Sequence, residues 1–134
     1  MASERTSRRR PPRSLPASPF GRLIGMRIVS LGRGRCVIEI DLDSRHHNPG
    51  GVVHGGALFS ALDSSMGSAL RTLRPTRPSV AMEVHVRYLS PVVSGRVRAE
   101  GRVVKRGRTV AVMESVARQG RREVARASGS FYLL

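Results

Sequence analysis

Cysteine and long apolar runs are nearly absent from this chain of 134 residues. Its single cysteine, Cys36, cannot form an internal disulfide and lies in an alternating apolar segment, which indicates a small buried side chain in a reducing compartment. The longest weakly charged run, residues 50–70, contains a histidine, an aspartate and four serines, whereas a membrane-spanning helix needs about 20 mainly apolar residues. We therefore expect a cytoplasmic protein that does not associate with membranes.

Aromatic and acidic residues are also scarce, while arginine is abundant. Two tyrosines, three phenylalanines and nine acidic residues stand against 23 arginines and one lysine, which gives a formal net charge of +15. This charge would attract nucleic acid, but the few aromatic side chains offer little for stacking bases, and the basic residues are spread widely along the chain. We predict no nucleic-acid partner and expect the positive field to favour small ligands that carry phosphate.

The first 19 residues combine five arginines with four prolines and several serines. A segment so polar and rich in proline cannot bury a core, so residues 1–19 are predicted to be a disordered basic tail and residues 20–134 a single domain. Arg8 and Arg9 are similar to the start of a twin-arginine export signal, but Pro11 and Pro12 follow where such a signal has an apolar stretch. No export signal is therefore expected.

Alternating apolar and polar residues predict an antiparallel sheet of five to six strands. In residues 80–88 the alternation is unbroken, so Val80 is predicted on one face of the strand with Tyr88, and Ala81 on the opposite face with Glu83. Short glycine-centred loops between several of these segments indicate hairpins. The predicted strands are residues 23–31, 35–43, 80–88, 96–104, 109–118 and 123–133.

Residues 56–73 lack that alternation and carry apolar side chains at helical spacing. Many of the other positions are alanine, serine or glycine, and Asp63 is the only charged residue between positions 56 and 70. A helix on the surface would carry more charge, and small side chains allow its backbone to approach the surroundings closely. We therefore predict an α+β fold in which a curved antiparallel sheet wraps around one long central helix.

The segment from His46 to Gly56 joins a predicted strand to the start of this helix and contains four glycines. Backbone N–H groups at a helix start lack internal partners, and the helix dipole adds about half a positive charge there. Glycines let a ligand approach this backbone closely. The segment therefore indicates a site for a negatively charged oxygen, with Asp63 about two turns further along the helix.

Each part of this pattern also has a simpler explanation. The glycines could serve only in turns, Asp63 could be a hydrogen-bonded buried acid or lie on an exposed edge, and His46 and His47 are expected at a solvated strand end rather than as ligands. Three histidines and one aspartate could bind zinc, but their spacing matches no familiar zinc site, so no metal is predicted.

The whole pattern is more specific than its parts. The order Asn48-x-x-Gly51-x-x-His54-Gly55-Gly56, with Asp63 nine residues after the histidine, resembles the signature of the PaaI-like hotdog thioesterases. Residues 88–95 and 103–109 look like the segment that leaves the family's central strand and the hairpin that follows it. The resemblance covers residues 20–133 and implies the hotdog fold, in which a curved sheet encloses one helix.

The resemblance also implies a thioester hydrolase that acts on an acyl-CoA with a small, medium-chain or aromatic acyl group. Its catalytic set would be Asp63, Asn48, His54 and Gly55, with the Gly55 N–H and the Asn48 side chain polarising the thioester carbonyl. Asp63 would reach in from the partner subunit as general base or as nucleophile. A homodimer is implied, with two dimers pairing as the favoured assembly, and no cofactor is expected because coenzyme A is part of the substrate.

Several residues are further candidates for contact with the substrate. Ala81 stands where family members often carry serine or threonine, so a hydroxyl that assists catalysis is missing, and Ser79 on the same face could replace it only if the local geometry shifts. Arginines that could bind the phosphates of coenzyme A, or be plain surface charges, are Arg74, Arg77, Arg106 and Arg108. Residues that could contact the thioester or the acyl group, or be ordinary turn and core residues, are Gly56, Phe59, Leu62 and Met66.

Two other functions stay open at this stage. A hotdog protein that binds acyl-CoA or an acyl carrier without hydrolysing it is suggested by the missing hydroxyl at Ala81. A hotdog dehydratase or hydratase would rely on a histidine base instead of Asp63.

Overall fold

The computed structural model describes residues 18–134 as one antiparallel sheet around a long helix. The elements are a short helix Pro19–Ile24, β1 Met26–Gly32, β2 Arg35–Leu42, a 3-10 turn Ser44–His46, the central helix Gly55–Leu73, β3 Ser79–Tyr88, β4 Gly95–Arg106, β5 Val110–Gln119 and β6 Arg122–Leu133. The strands lie in the order β1-β2-β4-β5-β6-β3, so β1 and β3 form the two edges of the sheet. The predicted hotdog fold is confirmed, with six strands.

The central helix buries one apolar face against the middle of the sheet. Leu62 and Met66 are fully buried there, among side chains from β2, β4 and β5. Gly101 on β4 faces the helix backbone: a Cβ at this position would lie 2.4 Å from the carbonyl carbon and oxygen of Ser65. The Ser65 and Ser115 hydroxyls, both buried, share a hydrogen bond of 2.7 Å between helix and sheet. Glycine in β4 therefore sets how closely the helix approaches.

The hairpin of β1 and β2 is hydrogen-bonded to the C-terminal end of the central helix. The turn between β1 and β2 needs a glycine at position 34, whose φ of +76° is rarely adopted by other residues. The Gly34 N–H donates to the Thr72 hydroxyl at 2.7 Å, and that hydroxyl donates to the carbonyl of Ala69. Cys36 in the following strand is buried as predicted, and burial raises the pKa of its thiol to about 12.

The start of the first strand differs from the prediction. The predicted strand 23–31 begins only at Met26, because Pro19–Ile24 forms a short helix. Ser18 caps this helix by accepting a hydrogen bond from the Gly21 N–H, and Gly25 ends it in the left-handed conformation. The predicted disordered tail, residues 1–19, lies outside the described residues except for Ser18 and Pro19.

A β-bulge corrects the predicted faces of β3. Pairing of β3 with β6 slips by one residue between Ala81 and Glu83, so that Met82 stands unpaired. An extra residue reverses the side to which the preceding side chains point. Ala81 therefore shares the inner face with Tyr88, and the predicted grouping of Val80 with Tyr88 is wrong.

No helix within residues 18–134 is long and apolar enough to cross a membrane.

Candidate active site

The loop before the central helix is shaped by two side chains of the predicted motif. The Asn48 side-chain oxygen accepts hydrogen bonds from the N–H groups of Gly50 at 2.8 Å and Val52 at 3.4 Å. His54 is the N-cap of the helix, and its Nδ1 accepts from the Gly56 N–H at 2.7 Å. Asn48 thus keeps its amide NH2 available as a donor, while His54 occupies the N–H of Gly56.

Gly55 presents the open amide at this helix start. Its N–H makes no hydrogen bond with another residue in the described part of the chain. Its carbonyl accepts a hydrogen bond of 2.9 Å from the Tyr88 hydroxyl. A side chain at Gly55 would meet the Tyr88 ring at 3.0 Å, so the tyrosine lies directly against this turn. The helix start therefore keeps one N–H directed outward, near the positive end of the helix dipole.

Asp63 lies in an open cleft of about 570 Å³ between the central helix and strand β3. It is half-buried, and burial raises the pKa of its carboxyl group above the usual value. Six of the other seven acidic residues within 18–134 pair with arginine, whereas Asp63 makes no ion pair or hydrogen bond with a described residue. A carboxylate kept in this state is available to accept a proton.

This burial leads to a prediction about stability. The folded pKa of Asp63 is raised, so the ionised carboxylate destabilises the folded state above that pKa, and the effect begins to weaken as the pH falls through it. Asp63→Asn is therefore expected to raise the urea midpoint of unfolding at pH 7. The gain should vanish below about pH 3.9, where aspartate is protonated in the unfolded chain too. A gain that persists unchanged at low pH would instead show that the amide simply packs better.

Ser79 and Ala81 line the cleft of Asp63 together with Phe131. The bulge at Met82 is the cause, because it turns both small residues of β3 inward. The missing hydroxyl at position 81 leaves Ser79 as the hydroxyl-bearing residue of β3 in this cleft.

Arg71 and Arg77 make the cleft positively charged. Arg77 donates to the carbonyls of Leu133 and Leu134 at 2.9 Å, and its Nη1 lies 3.5 Å from the carbonyl of Arg108, so the hairpin after β4 adjoins the cleft. The candidates Arg106 and Arg108 are exposed on that hairpin, and Arg74 caps the end of the central helix.

Arg71 was not among the sequence candidates. It follows Asp63 and Gly67 at intervals of four residues, a spacing that places all three on one face of the helix. This spacing is the signal that could have revealed it.

The acyl-pocket candidates differ in their burial. Leu62 and Met66 are fully buried in the core and do not line the Asp63 cleft, so we assign both to packing. Phe59 is half-buried one turn before Asp63 on the helix.

The expectation of a solvated strand end at His46 and His47 needs correction. His46 is buried: its Nδ1 accepts from the Asp43 N–H, so its Nε2 carries the proton and donates to the Ile24 carbonyl at 2.8 Å. His47 lies 2.7 Å from the carbonyl of Val93. Both rings connect loops through these contacts with backbone carbonyls. Residues 18–134 contain no group of three or more side chains that could hold a metal ion.

Comparison with known proteins identifies the family of this chain. The thioesterase superfamily model matches residues 50–125, which include the helix start and Asp63. The chain belongs to the thioesterase superfamily. The PaaI-like resemblance is thereby confirmed, and the protein is a thioester hydrolase.

Individual relatives agree with this membership. A conserved protein of Pseudomonas aeruginosa is similar in structure, with 38% identity, a TM-score of 0.88, and 92% of this chain and 100% of that chain covered. A mutant phenylacetic acid degradation protein PaaI from Thermus thermophilus has 27% identity and a TM-score of 0.82, with 87% and 100% covered. Human acyl-coenzyme A thioesterase 13 is 29% identical over 97 residues, which cover 71% of this chain and 69% of the relative.

Proposed function

We propose that this thioesterase hydrolyses acyl-CoA esters carrying a small, medium-chain or aromatic acyl group, with Asp63 as the catalytic carboxylate. The observation that carries the proposal is the state of Asp63: it is half-buried in a cleft beside small residues, and it makes no ion pair with any residue of 18–134. Burial raises the pKa of its carboxyl group, which makes it a better base than a typical surface aspartate.

The geometry favours a site shared by two chains. Gly55 and Asp63 are eight residues apart on one helix, which separates them by about 12 Å along its axis. One thioester group cannot contact both at that distance. Strand β3, which lines the Asp63 cleft, is an edge strand with one unpaired side, and such an edge can pair with a second copy. We therefore infer a homodimer in which Asp63 of one chain faces the Gly55 amide of the other, with two dimers as the larger assembly.

In this arrangement the thioester carbonyl would accept hydrogen bonds from the Gly55 N–H and the Asn48 side chain. These donors stabilise the negative charge that develops on the carbonyl oxygen. Asp63 would either take a proton from the attacking water or attack the carbonyl carbon itself, giving an anhydride that water then cleaves. In both routes the carbon–sulfur bond breaks and coenzyme A leaves as a thiolate, because its thiol pKa is near that of cysteine, about 8.5.

The phosphates of coenzyme A would meet arginines at the edge of the cleft. Arg71 and Arg77 line it, and the exposed hairpin of Arg106 and Arg108 adjoins it. Guanidinium groups bind phosphate oxygens in pairs of hydrogen bonds, so several such arginines could recognise the nucleotide part.

A second candidate function has one observation in its favour. Ala81 lines the Asp63 cleft and has no hydroxyl to assist a water molecule. A protein that binds acyl-CoA without cleaving it would show saturable binding but no release of thiol.

Complementation between two inactive variants tests the shared site. Asn48→Asp keeps the oxygen that accepts from Gly50 but removes the amide donor and adds a negative charge where the oxyanion would form. Differently tagged Asp63→Asn and Asn48→Asp chains are co-expressed, and the heterodimer is isolated through both tags. We expect each variant homodimer to be nearly inactive and the heterodimer to recover about half of the wild-type rate of thiol release, because one of its two equivalent sites is intact.

The opposite arrangement gives a different result. If Asp63 acted on a carbonyl held by its own chain, both sites of the heterodimer would lack one group, and no activity would return. A protein that stays monomeric at working concentration would also contradict the shared site.

A further inference from the structure

A second cavity lies on the other side of the central helix from strand β3. This short-helix groove has a volume of about 210 Å³ and lies between the short helix, β1 and the central helix. Apolar groups form much of its wall: Gly21 comes from the short helix, Met26 and Ile28 from β1, and Ile38 from β2. Ser64 lines this groove and does not line the Asp63 cleft.

The short-helix groove adjoins the Asp63 cleft. Gly67, Ser68 and Arg71 line both cavities, so the helix wall that the two share carries only glycine and serine besides Arg71. Gly67 follows Asp63 by one helical turn, a rise of about 6 Å. A chain attached to a carbonyl beside Asp63 can therefore pass over Gly67 and enter the groove within a few bonds.

We propose that the short-helix groove receives the distal part of a straight medium-length acyl chain, and so selects among the substrates of the proposed thioesterase. This inference rests on the proposed function. The groove holds about seven groups of water size, each of about 30 Å³, and a methylene group has nearly that volume. A few carbons cross Gly67 and about seven more occupy the groove, so acyl chains of about twelve carbons fill it. Acetyl groups do not reach it, and a rigid aromatic ring does not follow the bend around the helix.

Binding of non-hydrolysable S-alkyl-CoA thioethers tests the groove without relying on catalysis. Dissociation constants are measured by calorimetry for the ethyl, hexyl, octyl, dodecyl and hexadecyl compounds on the full chain. The wild type is expected to gain about fourfold in affinity per methylene group buried in the groove up to about dodecyl, and little beyond. Ser64→Leu and Ile28→Phe, which fill the groove from the helix and from β1, are expected to remove most of that gain and leave ethyl-CoA binding unchanged.

Val112→Phe is the matched control, because it makes a similar enlargement at an exposed strand position. It should retain the full dependence on chain length. The inference is overturned if wild-type affinity does not rise with chain length, or if both groove variants keep the rise. Hydrolysis of the matching acyl-CoA thioesters is assayed in parallel. A wild type that binds dodecyl-CoA tightly but releases no thiol from dodecanoyl-CoA would refute the proposed function and leave the groove assignment standing.

Discussion

Asp63→Asn is expected to lower kcat/KM for acyl-CoA hydrolysis by about a thousandfold or more, with little change in the affinity for a thioether analogue. The amide has nearly the shape of the carboxylate but cannot accept the proton of water or attack a carbonyl, and a positioned base typically contributes about 10²–10⁴ in rate. Thiol release measured with a thiol-reactive dye provides the test. Turnover close to that of the wild type would remove Asp63 from the mechanism.

The pH profile adds a second measurement on the same variant. Only the ionised carboxylate can act, so wild-type kcat/KM is expected to fall as the pH drops through the folded pKa of Asp63. Burial raises that pKa, so the midpoint of the fall should lie above the ordinary aspartate value of about 3.9. The residual rate of Asp63→Asn should lack this limb. Glu114→Gln is the control, because it removes an exposed carboxylate of β5 that pairs with Arg102 of β4. This variant should keep both the wild-type rate and the wild-type pH profile.

Most of the fold can be predicted from the sequence, because an element that buries one face carries apolar residues at a regular spacing. The central helix shows helical spacing and small side chains, and the strands show alternation. The bulge at Met82 leaves no such trace, since one extra residue changes neither composition nor length noticeably. Its effect is nevertheless large, because the inward direction of Ser79 and Ala81 depends on it.

The short helix could not be predicted from the sequence for a different reason, its length. Its signals are present in the sequence: Ser18 stands before Pro19, and Gly25 follows the last helical residue. Six residues are too few to show helical periodicity, so the apolar residues at its end look like the beginning of a strand. In the structure Ser18 and Gly25 cap this helix, which packs against β1.

The candidate site was predictable where one unusual residue marks it. Asp63 stands out as the single charge on most of a helix, and the glycines mark the helix start. The contact of Tyr88 with Gly55 was not predicted, because it joins residues 33 positions apart in the chain. The separation of Gly55 from Asp63 by about two helical turns is visible in the sequence, and the proposed site shared by two chains rests on it.

The strongest structural prediction concerns the contact between helix and sheet. Gly101→Ala is expected to destabilise the protein by about 3 kcal/mol or more, at or above the upper end of the usual range for overpacking. The added Cβ would lie 2.4 Å from backbone atoms of Ser65 and 2.7 Å from the N of Met66, and a helix backbone cannot move aside as a side chain can. The helix must therefore shift away from β4, which also strains the buried hydrogen bond between Ser65 and Ser115.

Urea unfolding of Gly101→Ala beside Gly32→Ala distinguishes this crowding from a general effect of losing a strand glycine. A Cβ at Gly32 meets nothing within 4 Å, and its backbone is in an ordinary conformation, so that variant should unfold within about 0.5 kcal/mol of the wild type. The helix start and Asp63 belong to the same rigid helix, so a shift near Ser65 should also lower kcat/KM in Gly101→Ala molecules that remain folded. Equal unfolding midpoints for both variants would contradict the prediction. They would mean that the central helix lies further from Gly101 than the 2.4 Å approach of an added Cβ implies.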